Sequence, residues 1–496
     1  MRRMLCCVLT LGLLLMAFPL PTLAQEDYVM AGYDTADSKH VWDDNLFFRR
    51  MAELTGIDFT FQQYNDTDEW TKVKAGFTAG GELPDVLFKA ELSEAETISL
   101  YEKGVLIDLK PYLPTYAPNL WALLQNHPEW EKAITLSDGA IVALPTINEL
   151  PTENAIWINK TWLGRLKLEM PSTAEELTEA LRAIKTQDPN RNGRSDEVPL
   201  TFTGLWELKF LAHGFGVAPN DYGIEVVDGK VVFQYTTDAY REFLTWLHSL
   251  YVEGLIDHDG FTTLDSSRAI TDTNATITFG AVYGPTPMTM LPSSVLSDYS
   301  VLLLSADGKQ VYRQLMGEIT RGTFAVTSAC KDPGALLSWV DYLYTTDGCF
   351  LAASGREHDE YDVTSDGKWY WLDDVTTVQD SILVDSTISE GAAMPLYMSA
   401  DYQLSFDDET TSRAVSELYE LHKAAKLAYP TISIPAEKKA EIAQIWSELG
   451  SWCEVAMTWF VTGDTEINDE TWAAFVSEAQ ERGAEKMAAI FQEMLD

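Results

Sequence analysis

The chain has 496 residues, and 35 Lys and Arg stand against 76 Asp and Glu, a formal net charge of −41. Phosphate-bearing partners are repelled by such a surface, which excludes nucleic acid and anionic membranes. At 46% hydrophobic and 11% aromatic the chain can bury a sizeable core, and its length implies two or three domains.

Arg2 and Arg3 precede an apolar run from Leu5 to Leu20, followed by Thr22-Leu23-Ala24. These are the parts of a secretory signal peptide spanning 1–24, with the cut after Ala24. The run is short for a spanning helix. Cys6 and Cys7 sit at its start, whereas a lipid-attachment cysteine would follow it. A soluble exported protein with no lipobox is expected, periplasmic or extracellular. Beyond the signal remain Cys330, Cys349 and Cys453, too few for a disulfide framework. Buried free thiols are the reading, with a Cys330–Cys349 pair left open.

A helix is expected over 45–55, ending at Gly56, and Ile57-Asp58-Phe59-Thr60-Phe61 has the alternation of a strand. A second helix, 66–79, stops at Gly80-Gly81 before the apolar strand Asp85-Val86-Leu87-Phe88. Strand, helix, strand at this spacing predicts an α/β sheet. Ser172 or Thr173 caps a helix with Glu175 and Glu176 in its first turn, running to about Lys185. Leu302 to Leu304, Thr323 to Val326 and a helix over 334–344 return to α/β patterning, and the tail from Ala436 is mainly helical.

That capped helix delivers the chain into Asp188-Pro189-Asn190-Arg191-Asn192-Gly193-Arg194-Ser195-Asp196-Glu197. Oxygen-bearing side chains at Asp188, Asn190, Asn192 and Asp196, with Gly193 for the sharp turn, have the spacing that wraps a calcium ion. Arg194 would contribute its carbonyl. The twelfth position, where a bidentate Glu is usual, is Pro199, so Glu197 would close the shell. A single loop of this kind is expected to be a structural staple; the bland alternative is a solvated Asn/Gly turn.

Read in order, these blocks resemble the extracellular solute-binding protein family 1, the substrate receptors of sugar ABC importers. The stretches that carry the resemblance are Thr55-Gly56-Ile57 and Ala79-Gly80-Gly81-Glu82-Leu83-Pro84-Asp85, then Trp157-Ile158-Asn159-Lys160, Pro171 to Leu177, the calcium loop, Leu250 to Asp257 and Asp341-Tyr342-Leu343-Tyr344. The chain is most similar to the large calcium-loop-bearing branch that includes alginate-oligosaccharide-binding proteins. Two departures stand out: Gly355-Arg356-Glu357-His358 replaces a Gly-Ile-Glu-Gly stretch, and no lipobox is visible.

The resemblance implies a two-lobed α/β, periplasmic-binding-protein-like (type II) fold with hinge crossings near Leu150 and Tyr299. Expected boundaries are 25–150 with 300–345 for the first lobe, and 151–299 with 346–496 for the second. It implies a receptor that captures an oligosaccharide between the lobes, delivers it to membrane permease subunits, and works as a monomer. Sugar clefts use aromatic faces and planar polar groups. Candidates by position are Trp157, Asn159, Trp206, Tyr283, Tyr64 and Asp66, with Arg321 for an acidic sugar. Each has a plainer reading: Trp157 packs a strand, Trp206 caps a helix, and Arg321 makes an internal ion pair. Two other classes stay open. A secreted glycoside hydrolase would share the acidity and aromatics, but no carboxylate pair is singled out. A calcium-stapled adhesive or scaffold protein lacks the expected repeats.

Overall fold

The computed structural model describes residues 26–151, 154–202, 204–261, 277–284, 290–291, 293–306, 312–313, 318–372, 379–430, 434 and 436–495. Residues 1–24, read as the export signal, lie outside them. Ten strands among the described residues build two principal sheets: β1 Glu26–Tyr33, β2 Ile57–Tyr64, β3 Val86–Phe88, β4 Leu144–Asn148, β5 Ala155–Asn159, β6 Val198–Phe202, β7 Phe279–Gly284, β8 Tyr299–Leu302, β9 Ile319–Val326 and β10 Leu396–Met398. The first sheet has the order β10-β4-β9-β3-β1-β2, and the second β8-β5-β7-β6.

The local signals read from sequence act as expected. Asn45 caps helix Leu46–Thr55 by accepting from the Phe47 amide, and Gly56 ends it at φ 73°, a backbone state glycine adopts without a Cβ penalty. Asp66 caps helix Thr67–Thr78. Because β1, β2 and β3 run parallel, these two helices cross on opposite faces of the sheet. Phe47, Phe48 and Met51 therefore pack with Met30, Val86 and Phe88, while Trp70 and Phe77 pack with Ala31 and Leu87. Both faces are buried, the usual state of parallel strands.

The second lobe forms around β5 and β7, whose alternating residues feed two cores. Ile156, Ile158, Ala281 and Tyr283 pack with helix Asp238–Val252 and the C-terminal helices. Ala155, Trp157 and Val282 face Tyr299 and Leu421 on the other side. Helices Ala436–Thr462, Asp469–Glu481 and Ala484–Leu495 confirm the helical tail.

The lobe boundaries differ from expectation in two places. β8 pairs with β5, so residues 299–302 belong to the second sheet. Residues 346–372 and 379–406 belong to the first lobe: Cys349, Leu351 and Leu396 join its core, and β10 extends the sheet beside β4. A third crossing, near residue 407, precedes helix Glu409–Ala424, which packs on the second lobe. Edge strand β10 has only three residues, too few for a readable period. Cys349 and Cys453 are buried free thiols, pushed up to about 12 by burial.

Candidate functional site

The crossings fix which ends of the sheets face each other. The chain leaves the first lobe after β4 and enters the second at the start of β5. It returns from the end of β8 to the start of β9. Through the registers Phe324↔Phe88, Met30↔Val86 and Tyr33↔Tyr64, the carboxyl ends of β1, β2 and β3 point at the second lobe. Through Ala155↔Gly284 and Phe202↔Tyr283, the carboxyl ends of β6 and β7 point back. Ligands of open α/β sheets gather outside such ends.

A cavity of about 820 Å³ lies between the lobes, within the roughly 300–1,000 Å³ range of small-molecule sites. The first lobe lines it with Glu94, Glu129, Trp130, Glu318 and Arg321, the second with Asp221, Tyr222, His422, Tyr429 and Phe491. Trp130 donates its indole N–H to Glu318 at 2.5 Å, and His422 approaches Glu318 from the other lobe at 3.6 Å. Burial pushes the Glu318 carboxyl up, but the nearby His422 imidazole and the Trp130 hydrogen bond outweigh it and hold it below its ordinary value. Glu94 meets Arg321 at 3.5 Å and Lys439, on helix Ala436–Thr462, at 2.5 Å. Two polar contacts thus bridge the lobes. Tyr429 donates its hydroxyl to the Phe491 carbonyl at 2.5 Å, and Tyr222 leans on Phe491, so the C-terminal helix forms part of the wall.

Of the residues picked from sequence, Arg321 lines this cavity, with Glu94 as its partner. Tyr64 ends β2 on the facing side, but it stacks on Trp70 at 5.4 Å, and Asp66 spends its carboxylate accepting from the Glu69 amide. Trp157 and Tyr283 are corrections. They are 2% and 1% exposed and project from opposite faces of the second sheet, each into a core. Asn159 is a correction as well: it sits at the end of β5 away from the crossing and caps helix Lys160–Leu166 through the Trp162 amide at 2.9 Å. The Trp206 side chain lies outside the described residues; its backbone is in the 3₁₀ helix Leu205–Phe215. Sequence reasoning missed Trp130, Glu318, Tyr222, His422, Tyr429 and Phe491. No local spacing joins residues so far apart in the chain.

A second buried polar cluster stands at the carboxyl ends of β1 and β3. Lys89, wholly buried, donates to Asp34 at 2.8 Å and to the carbonyls of Ile388 and Glu390 at 2.9 and 2.5 Å. Asp34 also accepts from His40, Trp42 and the Ala392 amide. Burial pushes the Asp34 carboxyl up, yet the His40 bond and the Lys89 charge outweigh this and lower it. Gly391, at φ 80°, lets the backbone pass so close that a Cβ there would lie 2.1 Å from Asp34 Oδ1. The cluster pins the segment leading to β10 onto the first lobe.

The loop 188–197 is folded around its own oxygens. Asp188 accepts from the Asn192 and Gly193 amides, and Asn192 Oδ1 from the Arg194 amide. Asn190 and Asn192 turn their Nδ2 groups to Asp196. Glu197 differs: both its carboxylate oxygens are buried with no hydrogen-bond partner. Burial raises its pKa, and the charges of Asp188 and Asp196 raise it further. The loop precedes Val198, the first residue of β6, and so lies at the end of the second lobe remote from the cavity.

Two α/β lobes linked by repeated crossings, with a cavity walled by both, define a binding protein that holds its solute between lobes. The chain belongs to the bacterial extracellular solute-binding proteins, whose family model matches residues 41–348. It is similar to the fructooligosaccharide ABC transporter substrate-binding protein FusA of Streptococcus pneumoniae, 25% identical over 92% of this chain and 87% of that one. The structure of that protein in complex with kestose superposes with a TM-score of 0.71 at 23% identity, covering 95% and 99% of the two chains. An extracellular solute-binding protein from Bifidobacterium longum subsp. infantis gives a TM-score of 0.77 at 21% identity over 95% and 98%. An alginate-binding protein solved without calcium ion gives 0.67 at 19% over 95% and 98%. No helix among the described residues is long and apolar enough to cross a membrane.

Proposed function

We propose that this chain is the substrate receptor of an ABC importer and captures an oligosaccharide in the interlobe cavity. The observation that carries the reading is a cavity lined by both lobes. Ligand contact and lobe closure are then one event, and closure is a two-state signal that permease subunits can read. The near full-length likeness to a fructooligosaccharide-binding relative supports an oligosaccharide cargo. The mature chain acts as an exported monomer after removal of 1–24. Thermal-shift screening against mono- and oligosaccharides, followed by calorimetry on the hits, tests this, since bound ligand stabilises by mass action. The ligand should come back from the protein unchanged; multiple turnover would replace this reading with that of a hydrolase.

We further infer that the loop 188–197 holds a calcium ion as a structural staple. Asp188, Asn190, Asn192, Asp196 and Glu197 would supply side-chain oxygens and Arg194 a carbonyl. Support comes from Glu197, whose two buried oxygens make no well-formed hydrogen bond, the Asn190 and Glu197 amides being only nearby, and stand beside the like charges of Asp188 and Asp196. A hard divalent cation satisfies such a set. Asn190 Oδ1 and Asn192 Oδ1 accept from the Asn192 and Arg194 amides, so turning these oxygens to an ion exchanges two loop hydrogen bonds for metal contacts. The relatives' EF-hand mutant and calcium-free structures point the same way.

A further inference from the structure

We infer that the interlobe cavity accepts glycans that lack carboxylates and rejects those built from uronates, an inference that rests on this cavity being the ligand site. Among the described residues that line it, four carboxylates (Glu94, Glu129, Asp221 and Glu318) stand against one guanidinium, Arg321, and one imidazole, His422. A uronate needs a cation to receive it, and Arg321 is the group shaped to do so. Its guanidinium already faces Glu94 at 3.5 Å, and the Glu94 side chain is only 11% exposed, so this carboxylate cannot swing out to water. His422 likewise faces a resident anion, Glu318. Both cationic groups that line the wall therefore have a carboxylate in place before any ligand arrives, although Arg321 shares Glu94 with Lys439, which stands behind the wall at 2.5 Å.

The remaining two acids sharpen the effect. Glu129 comes from the first lobe and Asp221 from the second, and both are exposed at the edge. Closing the lobes brings their charges toward whatever lies between them. Carboxylates accept hydrogen bonds and donate none, so they match the hydroxyl donors of a neutral sugar. A uronate offers an acceptor where the wall also offers acceptors, and like charges face each other in a site being emptied of water.

The test is calorimetry on the full mature protein at low salt. Fructo-, gluco-, manno-, galacto- and xylo-oligosaccharides are titrated beside oligogalacturonate, oligomannuronate and oligoguluronate of matched length. The expected result is that a neutral member binds and every uronate binds at least about tenfold more weakly, the scale of an unfavourable charge juxtaposition. The double variant Glu129→Gln/Asp221→Asn changes two exposed positions and should narrow that gap severalfold. A uronate that binds as tightly as the best neutral ligand overturns the inference while leaving the receptor reading in place. A neutral ligand that binds with a gap indifferent to the double variant also overturns it, because the cavity acids then do not discriminate. If no oligosaccharide of either kind binds, the receptor reading itself falls and takes this inference with it.

Discussion

Two clusters of buried charge in this protein are built to opposite standards. Around Lys89 the buried charges are matched: Asp34 and two backbone carbonyls surround the ammonium, Asp34 has four donors of its own, and of the side chains in the cluster only the far ring nitrogen of His40, Nε2, is buried without a partner. Around Glu197 two carboxylate oxygens are buried without a well-formed hydrogen bond and beside the like charges of Asp188 and Asp196. A satisfied network is a finished piece of structure, whereas an unsatisfied carboxylate among other carboxylates marks where a cation belongs. Burial by itself does not separate structure from site; whether a buried charge has its counter-charge does.

The contrast can be broken most severely at Lys89. Lys89→Met leaves Asp34 buried without its cation and should cost about 3–5 kcal/mol, the usual loss on breaking a buried pair, measured by urea unfolding. A loss under about 1 kcal/mol would show that the cluster pins nothing. Next comes calcium. At a hundredfold excess over its dissociation constant the ion should add about 2.7 kcal/mol, lost on chelation as a lower melting temperature. Oligosaccharide affinity should stay nearly constant, because the loop lies at the far end of β6 from the cavity. Chelation that abolishes sugar binding with the fold intact would place the ion in the ligand site.

A pH series sharpens the same point. In calcium-free protein the raised pKa of Glu197 means the folded state holds its proton longer than the unfolded chain does. Stability should therefore fall as pH rises from the ordinary carboxylate value through the folded one, and the penalty is complete above both. Glu197→Gln should abolish this descent, melting above calcium-free wild type at neutral pH and level with it at about pH 4. Differential scanning calorimetry of both proteins across that window decides it. The smallest effect is expected at the lobe junction. Lys439→Ala removes a pair whose ammonium is one-third exposed and leaves Glu94 its second partner, Arg321, and should change stability by about 0–1 kcal/mol. A larger loss would mean that the pair holds the lobes together in the unliganded protein.

What the sequence disclosed follows from the range of the interaction involved. Helix starts at Asn45 and Asp66, the cap at Ser172 or Thr173 and the stop at Gly56 are set within one helical turn, and the helices begin and end there, with Asn45, Asp66 and Thr173 as the caps. The loop at 188–197 folds around its own acids for the same reason. Trp157 and Tyr283 misled because an aromatic beside a polar residue looks alike in a cleft and in a buried strand. Only the pairing of β5 with β7 reveals that their side chains enter different cores. The cavity walls were illegible in kind, since Trp130, His422 and Phe491 meet through tertiary packing alone. The misplaced stretches 346–372 and 379–406 have the same cause: a three-residue edge strand has no period, and its place is set by β4 and by the Lys89–Asp34 cluster that holds the residues before it.

The place of β9 in the first sheet has a consequence for how the protein comes into being. This strand lies between β3 and β4, yet the ribosome makes it only after β5 to β8 of the other lobe. Until residue 326 has emerged, β3 and β4 lack the partner that joins them, and the N-terminal lobe cannot close its core. Such long-range pairing is slow to form. The two lobes therefore cannot fold strictly one after the other: the first completes its sheet only once every strand of the second lobe's sheet has been made.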